Sequence, residues 1–324
     1  MKKHLLRLAF INGLLFLSIC IFAQEYSDFY FTRVNGENGL SESNVKAILQ
    51  DSYGFMWFGT KNGLNRYDGT SILQFDCDDL EEGTGNHNIG ALFEDKERNL
   101  WVGTDRGVYI YNPAVDVFKR FKIASSEGIT LDNWVAEILS DSLDNIWVLI
   151  PDQGLFRYKD GKVHHYSLID KDNLKNNNPE CICINEQGEV WVGTSGIGLF
   201  KYNYRDDNFE QYLTDRMGRS LIDKTIISIC FQKENAILGI HEGDLLKYNT
   251  RTDELSEVSF LGEKKTFLRD VMCFGDEIWV GSLHGIFIIN EKENNVIHLK
   301  EDLMRSFSSV SYTHLRAHET GAYL

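Results

Sequence analysis

Apolar and polar positions alternate through Ser43–Gln50, with Val45, Ala47 and Leu49 on one face, so this segment reads as a β-strand. Asp51–Gly54 follows as a tight turn, because aspartate favours turn starts and glycine accepts a positive φ. The next strand, Phe55–Gly59, carries Met56, Trp57 and Phe58 in succession. A strand buried on both faces loses the simple in-and-out alternation. Thr60–Asn62 makes a second turn, Leu64–Tyr67 a third strand, Asp68-Gly69 a hairpin turn and Ser71–Phe75 a fourth strand.

The same pattern recurs. QDSYGFMWFGTKNGLNRYDG (50–69) is followed by EDKERNLWVGTDRGVYIYNP (94–113), SDSLDNIWVLIPDQGLFRYKD (140–160), NEQGEVWVGTSGIGLFKYN (185–203), QKENAILGIHEGDLLKYN (232–249) and FGDEIWVGSLHGIFIIN (274–290). The anchors Trp57, Trp101, Trp147, Trp191, Leu238 and Trp279 are spaced by 44, 46, 44, 47 and 41 residues. A period of about 40–45 residues built from short strands is that of a four-stranded propeller blade, a unit that must stack on neighbours to bury its faces. The sequence therefore predicts an all-β chain: a β-propeller with six recognisable four-stranded blades of a seven-bladed ring, over residues 24–308. Phe29–Val34 reads as an outer strand of the seventh blade, and Arg305–Ser309 as the start of that blade, with the chain truncated inside it. Such an open ring is expected to aggregate through exposed blade faces.

Residues that recur between copies are expected to serve stability. The tryptophans bury large areas against the next blade. The glycines two residues later (Gly59, Gly103, Gly193 and Gly281) let a neighbouring group approach closely. Residues that vary between copies are the candidates for recognition. The loop between the second and third strands lies on the same rim as the loop leading into the next blade, and both vary in sequence. This rim nominates Lys61, Asn62, Asp105, Arg106, Asp152, Gln153, His241, Glu242 and His284 as ligand-binding residues, with Ser195-Gly196-Ile197 and Leu283 in the same loops. Trp134, the one tryptophan out of register, opens the inner strand of the third blade near the central channel. There it either fills the channel mouth or offers a platform for the face of a sugar ring.

Composition narrows the function. A net charge of −15 over 324 residues argues against a nucleic-acid surface, which needs clustered Lys and Arg. The start, MKKHLLRLAFINGLLFLSICIFAQ, has the basic end, short apolar core and small residue before cleavage of a secretory signal peptide over residues 1–23. Five cysteines remain beyond it. Cys183, Cys230 and Cys273 align with Leu49, Phe93 and Leu139 and read as small buried hydrophobes, with a metal or redox site as the alternative. Residues 309–324, SVSYTHLRAHETGAYL, break the pattern and resemble translated sequencing-adapter read-through, so they are expected to pack poorly against the blades. No metal site is assigned. DCDDLEE (76–82) lacks the spacing of a calcium loop, and neighbouring strand residues such as His164 and His165 point to opposite faces.

The Asp-led turn, the W-x-G-T strand, the G-L pair and the Tyr-Asp-Gly turn resemble the two-component regulator propeller repeat, above all in GLSESNVKAILQDSYGFMWFGTKNGLNRYDG (39–69). The resemblance covers residues 26–308, although the third copy replaces G-T by Leu149-Ile150-Pro151 and the fifth lacks the tryptophan. It implies the first propeller of the periplasmic sensor region of a Bacteroidetes hybrid two-component system. Its implied ligand is an oligosaccharide, and its implied partners are a second propeller and downstream domains of the same protein, including a histidine kinase, with a dimer as the working state. The fragment itself is expected to be neither an enzyme nor a cofactor carrier. The competing readings are a free-standing secreted binding module or scaffold, and a glycan-acting propeller enzyme. Asp51-Ser52-Tyr53-Gly54 resembles the Asp-box turn of such enzymes with its Asp one position early, and no catalytic carboxylate pair can be singled out.

Overall fold

The computed structural model describes residues 34–75, 88–122, 128, 130–151, 153–168, 179–260 and 266–300. The signal peptide, the strand expected at Phe29–Val34 except its last residue, the seventh-blade start, Cys77 and the tail lie outside them. Apart from one 3₁₀ turn at Gly36–Asn38, the described residues are strands, turns and loops.

The described residues form an all-β propeller fold of six antiparallel four-stranded blades. Blade 1 comprises Val45–Gln50, Met56–Thr60, Gly63–Tyr67 and Ile72–Phe75, as the alternation predicts. The first strands of the following blades are Ile89–Glu94, Glu137–Ser140, Pro179–Ile184, Ile222–Gln232 and Leu268–Phe274. The core is a set of layers between blades. Trp57 and Leu64 of blade 1 pack with Val102, Tyr109 and Tyr111 of blade 2. Trp101 packs with Val135 and Ile138 of blade 3, and Trp147 with Ile182, Val192 and Tyr202 of blade 4. Trp191 packs with Ile229 and Leu238 of blade 5, and Ile237 with Ile278 and Val280 of blade 6. Burial on both blade faces is what erases the alternation in the second strands.

The recurrent glycine has a direct steric cause. A Cβ on Gly59 would lie 2.6 Å from Ile89 Cγ2, and one on Gly103 would lie 2.6 Å from Val135 Cγ1. Gly193 and Gly239 receive Ile226 and Val271 of the next blade in the same way.

The turn aspartate has a role beyond starting the turn. Asp51 Oδ1 accepts the amides of Tyr53 and Phe55, while its Oδ2 accepts Trp57 Nε1 at 2.7 Å. Asp95 and Asp141 hold Trp101 and Trp147 in the same way, each at 2.9 Å. The indole N–H, which burial would otherwise leave unpaired, is thus satisfied within its own blade. Blade 3 adds Asn145 Nδ2 and the Tyr204 hydroxyl of blade 4, both donating to Asp141 Oδ2. Burial pushes the Asp141 carboxyl up, but the donors Trp147, Asn145 and Tyr204 outweigh it and hold the carboxyl below its ordinary value. Asp207, between Tyr166, Tyr202 and Arg157 across the same seam, is shifted the same way against its own burial. A carboxylate lowered in the folded state contributes stability above its unfolded value, about 3.9 for Asp, and loses it as pH falls through the folded value. The melting temperature is therefore expected to fall steeply below about pH 4. Asp141→Asn should cost about 1–3 kcal/mol at neutral pH and flatten that acid limb in a series of thermal melts. An unaltered acid limb in the variant would exclude Asp141 as a source.

Three expectations are corrected. In blades 5 and 6 the first hairpin turn shortens from five residues (51–55 in blade 1) to two, Lys233-Glu234 and Gly275-Asp276. The loss of three residues, an odd number, inverts strand parity, and a one-residue slip turns a side chain to the other face. The fifth anchor is accordingly Ile237, which pairs with Cys230 and stands two residues before Gly239; Leu238 pairs with Ile229 and faces blade 4. Likewise Met272, not Cys273, lies opposite Trp279. Cys273 turns toward blade 5 and joins Cys230 in a disulfide with Cα atoms 5.7 Å apart, so these two are not free buried thiols. Cys181 and Cys183 take no part in this bridge. Finally, Ser195-Gly196-Ile197 is not a loop. It extends the second strand of blade 4, Val190–Ile197, and pairs with Thr225 and Ile222, so blades 4 and 5 share one sheet.

Candidate functional site

In blades 1, 2 and 6 the rim turn is braced by the hydroxyl residue that ends the second strand. Thr60 Oγ1 donates to the Gly63 carbonyl at 3.0 Å and accepts the Asn62 amide at 3.0 Å. Thr104 repeats this with Gly107 and Arg106, and Ser282 with Gly285 and His284. The glycines take a φ of 116°, 106° and 116°, a region closed to most side chains. A fixed turn of this kind lets the two residues at its tip vary without disturbing the blade.

Of the nominated residues, Lys61, Asn62, Asp105, Arg106, Glu242 and His284 are exposed at these tips, and Gln153 and His241 are half-buried. Asp152 lies outside the described residues. The Arg106 carbonyl accepts Arg120 Nη2, which also reaches Asp132 Oδ1 and so ties the turn of blade 2 to the loop entering blade 3. Gln153 Oε1 is buried with no hydrogen-bond partner among the described residues. The Gln153 carbonyl lies 2.6 Å from His165 Nε2.

Trp134 is half-buried and spans three blades. Its ring edge lies over Gly90 of blade 2, where a Cβ would come within 2.5 Å of Trp134 Cη2. Lys46 Nζ of blade 1 sits over the ring at 4.6 Å from its centroid and donates to Asn88 Oδ1. This is a cation–π contact of the sort worth about 0.5–1 kcal/mol where exposed. Farther round the rim, His241 packs on Phe267 with centroids 5.1 Å apart, and His284 Nδ1 lies 2.5 Å from Thr266 Oγ1. Phe267 and Leu283 stay about half-exposed, at 48% and 42%. The arrangement thus comprises two separate aromatic stations, Trp134 with Lys46 and Asn88, and Phe267 with His241. No described contact joins the side chains of Lys61, Asn62, Asp105 or Glu242 to Trp134.

Lys46 and Gly90 are absent from the sequence nominations, whereas Asn88, Thr266 and Phe267 fall in the variable loops 76–88 and 261–270 of this rim without being singled out. Gly90 carries a readable signal, since a glycine inside a strand marks a close approach. Phe267 carries only the variability of its loop, because an aromatic next to a strand reads as core.

Residues 39–62 and 83–106 match the family model of the two component regulator propeller. A 54-residue stretch is 46% identical to histidine kinase P4 of Formosa agariphila, covering 17% of this chain and 4% of that protein. Among solved structures, the extracellular domain of the putative hybrid two component system BT3049 of B. thetaiotaomicron superposes with a TM-score of 0.66 at 22% identity, covering 88% of this chain and 38% of that one. The corresponding domain of BT4673 from the same organism gives 0.64 at 23% identity, covering 79% and 36%. PorZ, a surface component of the type-IX secretion system of Porphyromonas gingivalis, gives 0.61 at 16% identity, covering 83% and 42%. At these identities the structures share the fold, and this chain spans less than half of each. The two matched segments, in and before blades 1 and 2, are thus similar to two-component regulator propeller repeats.

Proposed function

We propose that this propeller is a ligand-sensing module of a hybrid two-component system, acting outside the cytoplasm and engaging an oligosaccharide through the variable rim. The observation that carries the reading is the regulator-propeller match together with the identity to a histidine kinase. The extracellular domains of hybrid systems with this fold support it. The rim adds chemical support: aromatic faces at Trp134 and Phe267 lie near amide, carboxylate, imidazole and ammonium groups. Sugars are held by apolar platforms bordered by several hydrogen-bonding groups. The chain contributes recognition rather than catalysis in this reading. A second propeller and the kinase belong to the same full-length protein, which works as a dimer. The likeness to PorZ favours a second reading, a surface scaffold whose rim meets another protein.

The test is calorimetry of the complete extracellular region against a panel of oligosaccharides. Trp134→Ala and Arg106→Ala are expected to weaken binding by about 1–2 kcal/mol without unfolding the protein. Unchanged affinity in both, with loss from substitutions in the short turns of the opposite rim, would move the site. Absence of any sugar binding, with a downstream reading frame lacking a kinase, would favour the scaffold.

A further inference from the structure

On the opposite rim, the short turns of blades 1 and 2 enclose a cleft of about 340 Å³, a volume suited to a small molecule. Two guanidinium groups face it. Arg66, from the third strand of blade 1, lies over the Phe55 ring at 4.6 Å, and Arg98, from the turn of blade 2, over the Tyr53 ring at 4.8 Å. Among the described residues neither forms a salt bridge with a carboxylate, although the Tyr53 hydroxyl and, more weakly, Glu94 stabilise the Arg98 cation. The lining carboxylates are mostly committed elsewhere. Asp51 serves its own turn and Trp57, and Glu94 accepts the Ser52 amide at 2.7 Å and its hydroxyl at 2.9 Å. Glu97 alone is uncommitted among the described residues.

Arg98 also occupies a strained position. Its φ is 63°, at a turn site filled by Gly54 in blade 1, Gly188 in blade 4 and Asp144 in blade 3. A bulky residue in this region is an outlier, and such strain gathers where a side chain has work to do. Here the strained backbone places a cation beside Tyr53. Each ring holds its guanidinium in place, and a guanidinium carries more N–H donors than one neighbour uses, the chemistry that suits an oxyanion.

We propose that this cleft binds a small, ring-sized organic anion, its carboxylate or sulfate group held between Arg66 and Arg98. The site is independent of the variable rim. The test titrates the protein with glucuronate, glucose 6-sulfate and glucose by calorimetry. At least one of the two acids is expected to bind, more weakly as salt is added, and glucose is not; the tighter acid identifies the anionic group. Arg98→Gly should weaken binding about tenfold or more while the melting temperature holds or rises, because glycine suits this backbone. Exposed Glu97→Gln should strengthen binding. Trp134→Ala should leave it unchanged, which separates this site from the rim. The proposal is overturned if neither acid binds at about 10 mM, if glucose binds as well as the acids, or if Arg98→Gly leaves affinity intact.

Discussion

A Trp147→Ala chain is expected to lose about 3–5 kcal/mol of stability, the largest effect of any single side-chain truncation in this propeller. Trp147 is fully buried in the layer between blades 3 and 4. Its ring meets Tyr202 edge-on at 4.8 Å, Tyr166 at 5.7 Å and Phe209 at 5.9 Å. Removing it opens a cavity among aromatic rings that cannot collapse without moving a blade, and it also takes the indole donor from Asp141. Since domains of this kind are typically stable by only about 5–15 kcal/mol, the variant should melt far earlier or fail to fold. Trp147→Phe keeps most of the packing but not the Asp141 hydrogen bond, and should cost about 1–3 kcal/mol. Urea unfolding of the three chains checks both numbers. If alanine costs less than phenylalanine is expected to, the layers between blades are not where the stability resides.

The two Trp147 variants separate what is legible in the sequence from what is not. Six blades can be read because most of them repeat the same local solution, a turn, a two-faced strand and a glycine for the neighbour's branched side chain, and blade 3 departs from it only in Leu149 where the glycine would stand. Gly59, Gly103 and Gly193 announce a close approach by type alone, and the approaching groups prove to be Ile89, Val135 and Ile226. Asp51, Asp95 and Asp141 are readable as turn formers, but their second bond, to the indole six residues on, depends on how the turn folds back. Partners on different blades are harder still. Tyr204 reaches Asp141 across 63 positions, and Lys46 reaches Trp134 across two blade boundaries. No period in the sequence encodes such pairs. The candidate rim is legible as a place, because turn tips vary between copies. Its internal contacts are not, since the long loops that frame it have no repeat to align them.

Cutting the Cys230–Cys273 bridge is the second change expected to have a large effect. The two cysteines lie 43 positions apart, about one blade, on the first strands of blades 5 and 6. Cross-linking a loop of that length restricts the unfolded chain, and disulfides of this class contribute about 2–4 kcal/mol. Replacing both cysteines by alanine should therefore lower the melting temperature markedly. Reductant should lower that of the parent chain to a similar degree and leave the double variant unmoved. The bridge also joins the last described layer, where Cys230 packs among Ile237, Val271 and Ile278, so its loss should loosen blade 6 before the others. Hydrogen exchange would register this as faster exchange in Leu268–Phe274 and Glu277–Ser282. Disulfides persist in oxidising compartments, so the bridge suits a chain that works outside the cytoplasm. Thiol titration of the unfolded chain should find two thiols fewer than the cysteines present. A full complement of thiols from protein matured under oxidising conditions, or a double variant as stable as the parent, would remove the bridge from the account of this fold.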